Sequence, residues 1–164
     1  MKSYLKANRQ RIERELADSR HWPEFSPAIY AQYRVMLPLA QRYARGRLID
    51  LGCGTMPYRA ALLAQVTAYD GLDLFPRSRE VRYISDLEQM SVVPDETYDT
   101  ALLIEVLEHV PHPWLALSET WRVLAKDGLL IVSVPHLSRL HDEPHDYYRY
   151  TRYGLRRLLE DAGF

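Results

Sequence analysis

Residues 48–55, Leu-Ile-Asp-Leu-Gly-Cys-Gly-Thr, form an apolar run that breaks into two glycines one residue apart. Apolar runs of this length are typical of a strand buried inside a parallel sheet. The glycines allow a sharp turn and a close approach of the backbone to a ligand, because neither carries a Cβ. A helical pattern follows, and the N-terminus of a helix presents partial positive charge to such a ligand. The stretch therefore predicts a site for a nucleotide-like ligand.

Length and composition bound the class of protein. The chain has 164 residues, 47% of them hydrophobic and 26% charged, as expected of one soluble globular domain. Its one cysteine excludes an internal disulfide and a cysteine-based zinc cluster. No apolar run reaches membrane-spanning length, and residues 1–10 lack the apolar core of a signal peptide. We therefore expect a cytoplasmic protein without a membrane span.

Charge is spread unevenly along the chain. Residues 1–47 carry ten Lys and Arg against four Asp and Glu, whereas residues 48–164 carry eleven against eighteen. A basic segment of this kind contacts nucleic acid, a membrane surface or an acidic substrate in some proteins. We favour a solvated amphipathic helix, because charge alone is weak evidence and the aromatic residues follow no nucleic-acid-binding motif. No nucleic-acid partner is expected.

The order of helical and strand patterns predicts the architecture. Helical patterns over 2–19 and 27–44, the second kinked at Pro38, define an N-terminal helical segment of residues 1–45. Residues 46–164 then alternate strands and helices, which predicts an α/β fold: a doubly wound, mostly parallel sheet with helices on both faces. Ligands of such sheets bind at the carboxyl ends of the strands. The predicted strands are 47–51, 66–73, 80–84, 98–104 and 128–134, and the predicted helices are 57–64, 113–125 and 152–162.

Acidic residues follow the second and third predicted strands. Asp73 stands 23 residues after Asp50, where an acid accepts hydrogen bonds from a ribose diol or caps the following turn. The glycine turn upstream favours the ribose. Asp86 follows the third strand, where it would accept a hydrogen bond from an adenine amino group or serve as a helix N-cap.

The glycine pattern discriminates between two cofactors. A dinucleotide-binding turn has a third glycine three residues after the second, and Pro57 occupies that position here. Because the third glycine supports packing beneath a pyrophosphate, its absence disfavours NAD. A cofactor with adenine, ribose and an amino-acid tail needs no pyrophosphate site, and S-adenosylmethionine fits that description.

Three ordered motifs carry a family resemblance. Residues 48–55 come first, followed by Tyr-Asp-Thr-Ala-Leu-Leu-Ile-Glu-Val-Leu-Glu-His-Val at 98–110 and a segment at 116–132 ending in Asp-Gly-Leu-Leu-Ile-Val. Over residues 30–164 the chain resembles the class I S-adenosylmethionine-dependent methyltransferases, of the small-molecule kind called methyltransferase type 11. The resemblance implies a Rossmann-like fold, S-adenosylmethionine as cofactor and methyl transfer. The family usually has Pro-Gly-Gly before its fifth strand, whereas this chain keeps one glycine, Gly128, which still allows a turn.

The resemblance also assigns cofactor-binding residues. Asp50 and the two glycines would line the methionine end, Asp73 would take the ribose hydroxyls, and Asp86 with its neighbour would lie along the adenine. Glu105, at the end of the fourth strand, would face the cofactor. The full implied set is Asp50, Gly52, Cys53, Gly54, Asp73, Leu74, Asp86, Leu87 and Glu105.

The segment 135–150, here named the histidine loop, is rich in imidazole and carboxylate groups. It suits a metal site, a substrate-binding loop with a general base, or a polar loop that covers the sheet end. No metal is predicted, because Pro144 interrupts any helical pair of ligands and no zinc spacing is present. A similar Pro-His-Asp-Tyr-Tyr-Arg-Tyr-Thr run recurs in related methyltransferases, some tied to surface-glycan pathways. The resemblance therefore favours a substrate loop and a small-molecule or glycan-type acceptor.

Three histidines are candidate catalytic bases. The resemblance puts His109 at the mouth of the pocket, and His141 and His145 lie in the histidine loop. Imidazole titrates near neutral pH and can take a proton from a hydroxyl or amine acceptor, whereas a carboxylate acceptor would need no base.

The end of the sequence departs from the family pattern. Family members continue past an Ala-Gly-Phe helix with two more strands, and this sequence stops at Phe164. Strand 128–134 would then be an exposed apolar edge, which favours association with another strand. We therefore expect either a fragment of a longer protein or an oligomer that covers this edge. The alternative to an enzyme is a non-catalytic S-adenosylmethionine-binding scaffold with an incomplete fold.

Overall fold

A computed structural model describes residues 27–164, with side chains from residue 30 onward. The predicted helix over 2–19 and most of the basic segment lie outside the described residues. Helix α1 (Pro27–Tyr43) runs through Pro38, the residue at which the sequence predicts a kink. The chain divides into two compact units at Arg42 and Tyr43, and the second unit holds the sheet.

The sheet of the second unit has five parallel strands in the order β3-β2-β1-β4-β5. This confirms the predicted Rossmann-like, mostly parallel fold. The chain reverses its direction of travel across the sheet between β1 and β4, and ligands of such folds bind at this switch point. The strands are β1 (Arg47–Leu51), β2 (Ala68–Asp73), β3 (Val81–Ile84), β4 (Tyr98–Ile104) and β5 (Leu124–Ser133).

Helices α2 (Arg59–Leu62), α3 (Pro113–Val123) and α4 (Arg152–Ala162) connect or follow the strands. Helix α4 begins with a side-chain cap, since the Thr151 hydroxyl accepts from the Gly154 amide. Helix α2 is one turn long and shorter than the predicted 57–64. The predicted helix is therefore present only over its middle residues, and its N-cap residue, Tyr58, makes no side-chain capping bond. So short a helix supplies little dipole to a ligand.

Strand β5 begins earlier than predicted. Tyr98 pairs with Leu124, whereas Thr100 pairs with Leu129, so three extra residues of β5 bulge out of the ladder. Asp127 within this bulge has a φ of 62°. The expected turn at Gly128 is thus an irregularity inside β5 rather than a loop before it.

The main core lies under the central strands, where α3 and α4 pack against the sheet. Tyr98 is fully buried, and its hydroxyl donates to the Asp70 carboxylate at 2.8 Å. A buried hydroxyl needs such a partner, since an unmade bond there costs roughly 1–3 kcal/mol.

Strand β5 is at one edge of the described sheet. Among the described helices, none has the length and apolar character required to cross a membrane.

Candidate active site

The glycine turn after β1 has two different kinds of glycine. Gly52 (φ 69°) is tightly packed: a Cβ there would lie 2.6 Å from the side chain of Val106. A Cβ on Gly54 (φ 52°) would meet no described atom within 4 Å beyond its own neighbours. The Gly52 and Cys53 amides donate to the Leu72 carbonyl at 2.8 and 3.1 Å, which holds the turn against β2. The turn therefore leaves open space beside Gly54, at the carboxyl end of β1.

Asp73, at the end of β2, ties two turns together. Its Oδ2 accepts from the Gly54 amide and its Oδ1 accepts from the Phe75 amide, both at 2.8 Å. The turn-capping role considered for this residue is thus present. Each carboxylate oxygen has a further lone pair, so the same group can still accept from a ribose hydroxyl. Leu74 beside it is half-exposed.

Asp50 is buried at the end of β1. It is 4% exposed, and the Tyr69 hydroxyl donates to its Oδ2 at 2.6 Å. Burial raises the pKa of Asp50 to about 7, and the charge of Asp73 acts in the same direction. Burial also raises the pKa of the neighbouring Cys53 thiol, so that cysteine is not a reactive thiolate at neutral pH.

Asp86 and Leu87 follow β3 in different environments. Asp86 is exposed, and its Oδ1 accepts from the Glu88 amide at 2.9 Å, which caps a turn rather than a helix. The Leu87 side chain is buried in the main core. Of the pair predicted to lie along an adenine, only Asp86 presents its side chain to solvent.

Glu105, the residue after β4, has a left-handed conformation with a φ of 52°. Its amide donates to the Ser133 carbonyl at 3.0 Å, and its Oε1 accepts from the Ser133 hydroxyl at 2.8 Å. A non-glycine residue with positive φ is uncommon and points to a local constraint. These bonds fix Glu105 between the carboxyl ends of β4 and β5, at the side of the sheet where the glycine turn lies.

Glu108 is a site residue that the sequence analysis missed. It lies in a 3-10 turn (Leu107–His109) and is fully buried, yet neither carboxylate oxygen has a hydrogen-bond partner among the described residues. Burial raises the pKa of Glu108 to about 8. The only sequence signal was an acid within the apolar run Val106–Val110.

The predicted catalytic histidines come together only in part. The rings of His109 and His141 meet edge to face with centroids 4.9 Å apart. His145 contributes its carbonyl, which lies 2.7 Å from the His109 Nδ1, while its own exposed ring turns to the Tyr147 hydroxyl. His136 is further along the loop, with its Nδ1 2.9 Å from the Tyr150 carbonyl.

Hydrogen bonds hold the histidine loop in place. The Tyr147 amide donates to the Glu108 carbonyl at 2.7 Å, and the Tyr150 hydroxyl donates to the Leu107 carbonyl at 2.8 Å. Inside the loop, Arg149 bonds both oxygens of the buried Asp146 at 2.6 and 2.7 Å and lowers its pKa. The loop is therefore docked on the segment after β4, next to Glu105.

The chain is similar in sequence to known methyltransferases. Residues 27–164 match the family model described as a methyltransferase domain. The chain is 29% identical over 167 aligned positions to a protein of Mycolicibacterium smegmatis named a probable S-adenosylmethionine-dependent methyltransferase, covering 91% of this chain and 61% of that protein. It is 31% identical over 108 positions to a phosphatidylethanolamine N-methyltransferase of Cereibacter sphaeroides, covering 57% of this chain and 52% of that enzyme. The chain thus spans about half to three-fifths of the length of these curated relatives.

Solved structures show the same fold. The crystal structure of an S-adenosylmethionine-dependent methyltransferase from Archaeoglobus fulgidus superposes with a TM-score of 0.66 at 19% identity. The match covers 84% of this chain and 68% of that one. At 19% identity the structural similarity establishes only the fold. Membership of the family rests on the match to the family model.

Proposed function

The chain belongs to the methyltransferase domain family, and from this membership we propose that it transfers a methyl group from S-adenosylmethionine to a small-molecule or glycan-type acceptor. S-adenosylmethionine is the cofactor of this family. The observation that carries the proposal is the family match over residues 27–164, which spans the glycine turn, Asp73 and Glu105. The acceptor class rests on the histidine loop and on the resemblance of its sequence to loops of related methyltransferases.

The residues at the strand ends suit this cofactor. The open space at Gly54 admits a ligand next to the backbone, and Asp73 supplies carboxylate oxygens at the same place. We assign the methionine end to Asp50, Gly52, Cys53 and Gly54, and the ribose to Asp73 and Leu74. The adenine is assigned to the Asp86 side chain and to the backbone of Leu87, whose side chain lies in the core. Glu105 is assigned to the wall of the site that faces the cofactor. When bound, S-adenosylmethionine supplies a methyl group already activated by its sulfonium. The protein then has mainly to align the acceptor and exclude water.

The histidine loop provides the acceptor side of the proposed site. His109 directs its Nδ1 to the His145 carbonyl, an acceptor only, so Nδ1 carries the proton and Nε2 keeps its lone pair. A lone pair on imidazole is what a general base requires. The His141 Nδ1 likewise faces a carbonyl, so His109, His141 and His145 are the proposed bases without an order among them. The exposed Tyr147 ring offers an apolar face to a sugar or similar small molecule.

Calorimetric titration tests the cofactor. We expect S-adenosylmethionine and S-adenosylhomocysteine to bind the purified chain with micromolar affinity, because the turn, Asp73 and Asp50 are all in place. NAD should not bind, because Pro57 replaces the glycine that a pyrophosphate needs. Binding of NAD alone would overturn the proposal, and binding of neither cofactor would contradict it for this chain.

A panel of acceptors with methyl-labelled S-adenosylmethionine tests the transfer. It should contain hydroxylated small molecules, free glycans, nucleotide sugars and phosphatidylethanolamine vesicles, the last because one relative bears that activity in its name. We expect label in a small molecule or glycan. Label in the phospholipid alone would refute the acceptor class, and cofactor binding without transfer to any member would favour the non-catalytic scaffold.

Cofactor affinity should depend on pH through Asp50. Its pKa of about 7 lies above the ordinary value, so at pH 6.0 most free chains hold a neutral Asp50. A cofactor ammonium group favours the ionised carboxylate, so binding at pH 6.0 must release a proton. We expect the affinity for S-adenosylhomocysteine to rise by about eightfold between pH 6.0 and 7.5, as one linked proton predicts.

The control for this pH dependence is Asp50→Asn, which keeps an oxygen able to accept from Tyr69 but has no charge to titrate. Its affinity should be lower and flat over the same range. A pH profile of this variant parallel to that of the wild type would exclude Asp50 as the linked group. Titration in buffers of different ionisation enthalpy counts the released proton directly.

A further inference from the structure

We propose that Glu108, His109 and His141 form a binding site for a divalent transition-metal ion where the histidine loop meets the segment after β4. One ligand atom from each of these three side chains lies within 4.8 Å of the other two. One carboxylate and two imidazoles suit zinc, manganese or iron, and three protein ligands leave positions open for water or an acceptor oxygen. The metal site stands on these contacts alone, whereas its use in holding an acceptor rests on the proposed function. With an ion bound, the Nε2 lone pairs of His109 and His141 are used in coordination, and His145 is the proposed base that remains.

The unpartnered carboxylate of Glu108 is the first observation. The residue is 0% exposed, and neither oxygen has a hydrogen-bond partner among residues 27–164. Burying a carboxylate without a partner is costly, and proteins normally pair such a group or use it to coordinate a metal. Arg149, whose charge acts on Glu108, donates its hydrogen bonds to Asp146 and to backbone carbonyls instead. A metal ion would supply the missing partner.

The orientation of both histidines is the second observation. The His109 Nδ1 lies 2.7 Å from the His145 carbonyl, and the His141 Nδ1 lies 3.1 Å from the Arg139 carbonyl. A carbonyl only accepts, so each Nδ1 carries the proton and each Nε2 keeps its lone pair. Metal-binding histidines are commonly held in this way, with one ring nitrogen donating to a carbonyl and the other free to coordinate.

The distances require only a small adjustment. The His109 Nε2 lies 3.8 Å from the Glu108 Oε1, which is too far for a hydrogen bond but suitable for two ligands of one ion. In a tetrahedral site, bonds of about 2.0–2.2 Å put the ligand atoms roughly 3.4 Å apart. The ligand atoms lie within 4.8 Å of one another, so no pair has to close by more than about 1.4 Å to complete the site.

The ligands come from two separate segments, which explains why the loop sequence alone gave no metal spacing. Glu108 and His109 follow β4, and His141 comes from the histidine loop. The charge of Glu105 acts electrostatically on Glu108 and favours a cation there. Arg149 and Asp146 form a bidentate pair, which carries no net charge.

Metal titration of the chelator-treated chain tests the proposal without cofactor or acceptor, so its outcome is independent of methyl transfer. Calorimetry with Zn²⁺ and Mn²⁺ should show one ion per chain, and Co²⁺ should give visible absorption bands of a nitrogen- and oxygen-ligated ion. His141→Ala should weaken binding by at least about tenfold, because even changes to residues that only orient ligands commonly cost 10–100-fold. Glu108→Gln should do the same.

His136→Ala is the matched control, because it removes an imidazole from the same loop outside the proposed ligand set. It should bind metal like the wild type. His141 is partly exposed, so His141→Ala is expected to fold, and circular dichroism checks this. The proposal fails if no stoichiometric binding occurs, if His141→Ala binds as tightly as the wild type, or if His136→Ala loses the site.

Discussion

Replacing Asp73 by Asn should lower the affinity for S-adenosylhomocysteine by about 100-fold, which corresponds to roughly 2.7 kcal/mol. Hydrogen bonds to a charged group contribute about 1.5–3 kcal/mol each, and a ribose diol offers two donors to this carboxylate. The same carboxylate accepts from the Gly54 amide, so the substitution also loosens the turn that faces the ligand. Calorimetric titration of wild type and variant measures the difference.

Two further variants isolate the cause. Asp161→Asn makes the same change of charge on the exposed side of α4, where the carboxylate pairs with Arg157, and should bind the cofactor normally. Asp73→Ala removes both acceptors and should bind no better than Asp73→Asn. Unchanged affinity in Asp73→Asn would show that the ribose is held elsewhere and that Asp73 serves the turn alone.

Replacing Gly52 by Ala should lower the free energy of unfolding by about 2–5 kcal/mol. The left-handed backbone at a φ of 69° costs an L residue about 1–2 kcal/mol. The new Cβ would lie 2.6 and 2.8 Å from the two γ-carbons of Val106, and such overpacking costs typically 1–3 kcal/mol more. Val106 has little freedom to move away, because β-branched side chains have few rotamers. Urea unfolding followed by circular dichroism and tryptophan fluorescence measures the loss.

Gly54→Ala is the comparison that separates stability from ligand binding. It bears a similar backbone strain at a φ of 52°, but its Cβ would enter open space. We expect this variant to lose only about 1–2 kcal/mol of stability while its cofactor affinity falls sharply. Equal destabilisation of the two variants would argue against the packed contact at Gly52, and normal cofactor affinity in Gly54→Ala would argue against a ligand beside that residue.

The presence and order of the strands could be predicted because an apolar run in the local sequence marks each of them. The apolar runs at 47–51 and 98–104 are buried parallel strands with the predicted bounds. Helix α2 was located correctly but with bounds that were too wide, because its start lacks a side-chain cap that would mark it in the sequence. The bulge in β5 was missed because only the pairing with β4, which is not local, reveals its three extra residues.

The site was predictable where single residues follow strands and was not where distant segments meet. Asp73 and Glu105 could be located because parallel strands end at one edge of a sheet. Glu108 could not be singled out, because its burial depends on the histidine loop folding over the segment after β4. The partnership of His109 with His141 likewise joins positions 32 residues apart, and no helical or strand period relates them.

The hydrogen bonds of the histidine loop divide it into two parts that differ in how well they tolerate amino-acid substitution. Residues 146–150 make the hydrogen bonds to Glu108, to Leu107 and within the loop, so a substitution there disturbs the packing of the loop on the segment after β4. Residues 137–140 and 142–145 are exposed, and Leu137 is 90% exposed. Under the proposed function, substitutions in this outer part would alter the surface that the acceptor meets at little cost to folding. A lineage could then exchange one acceptor for another through the tip of the loop while the cofactor side stays constant.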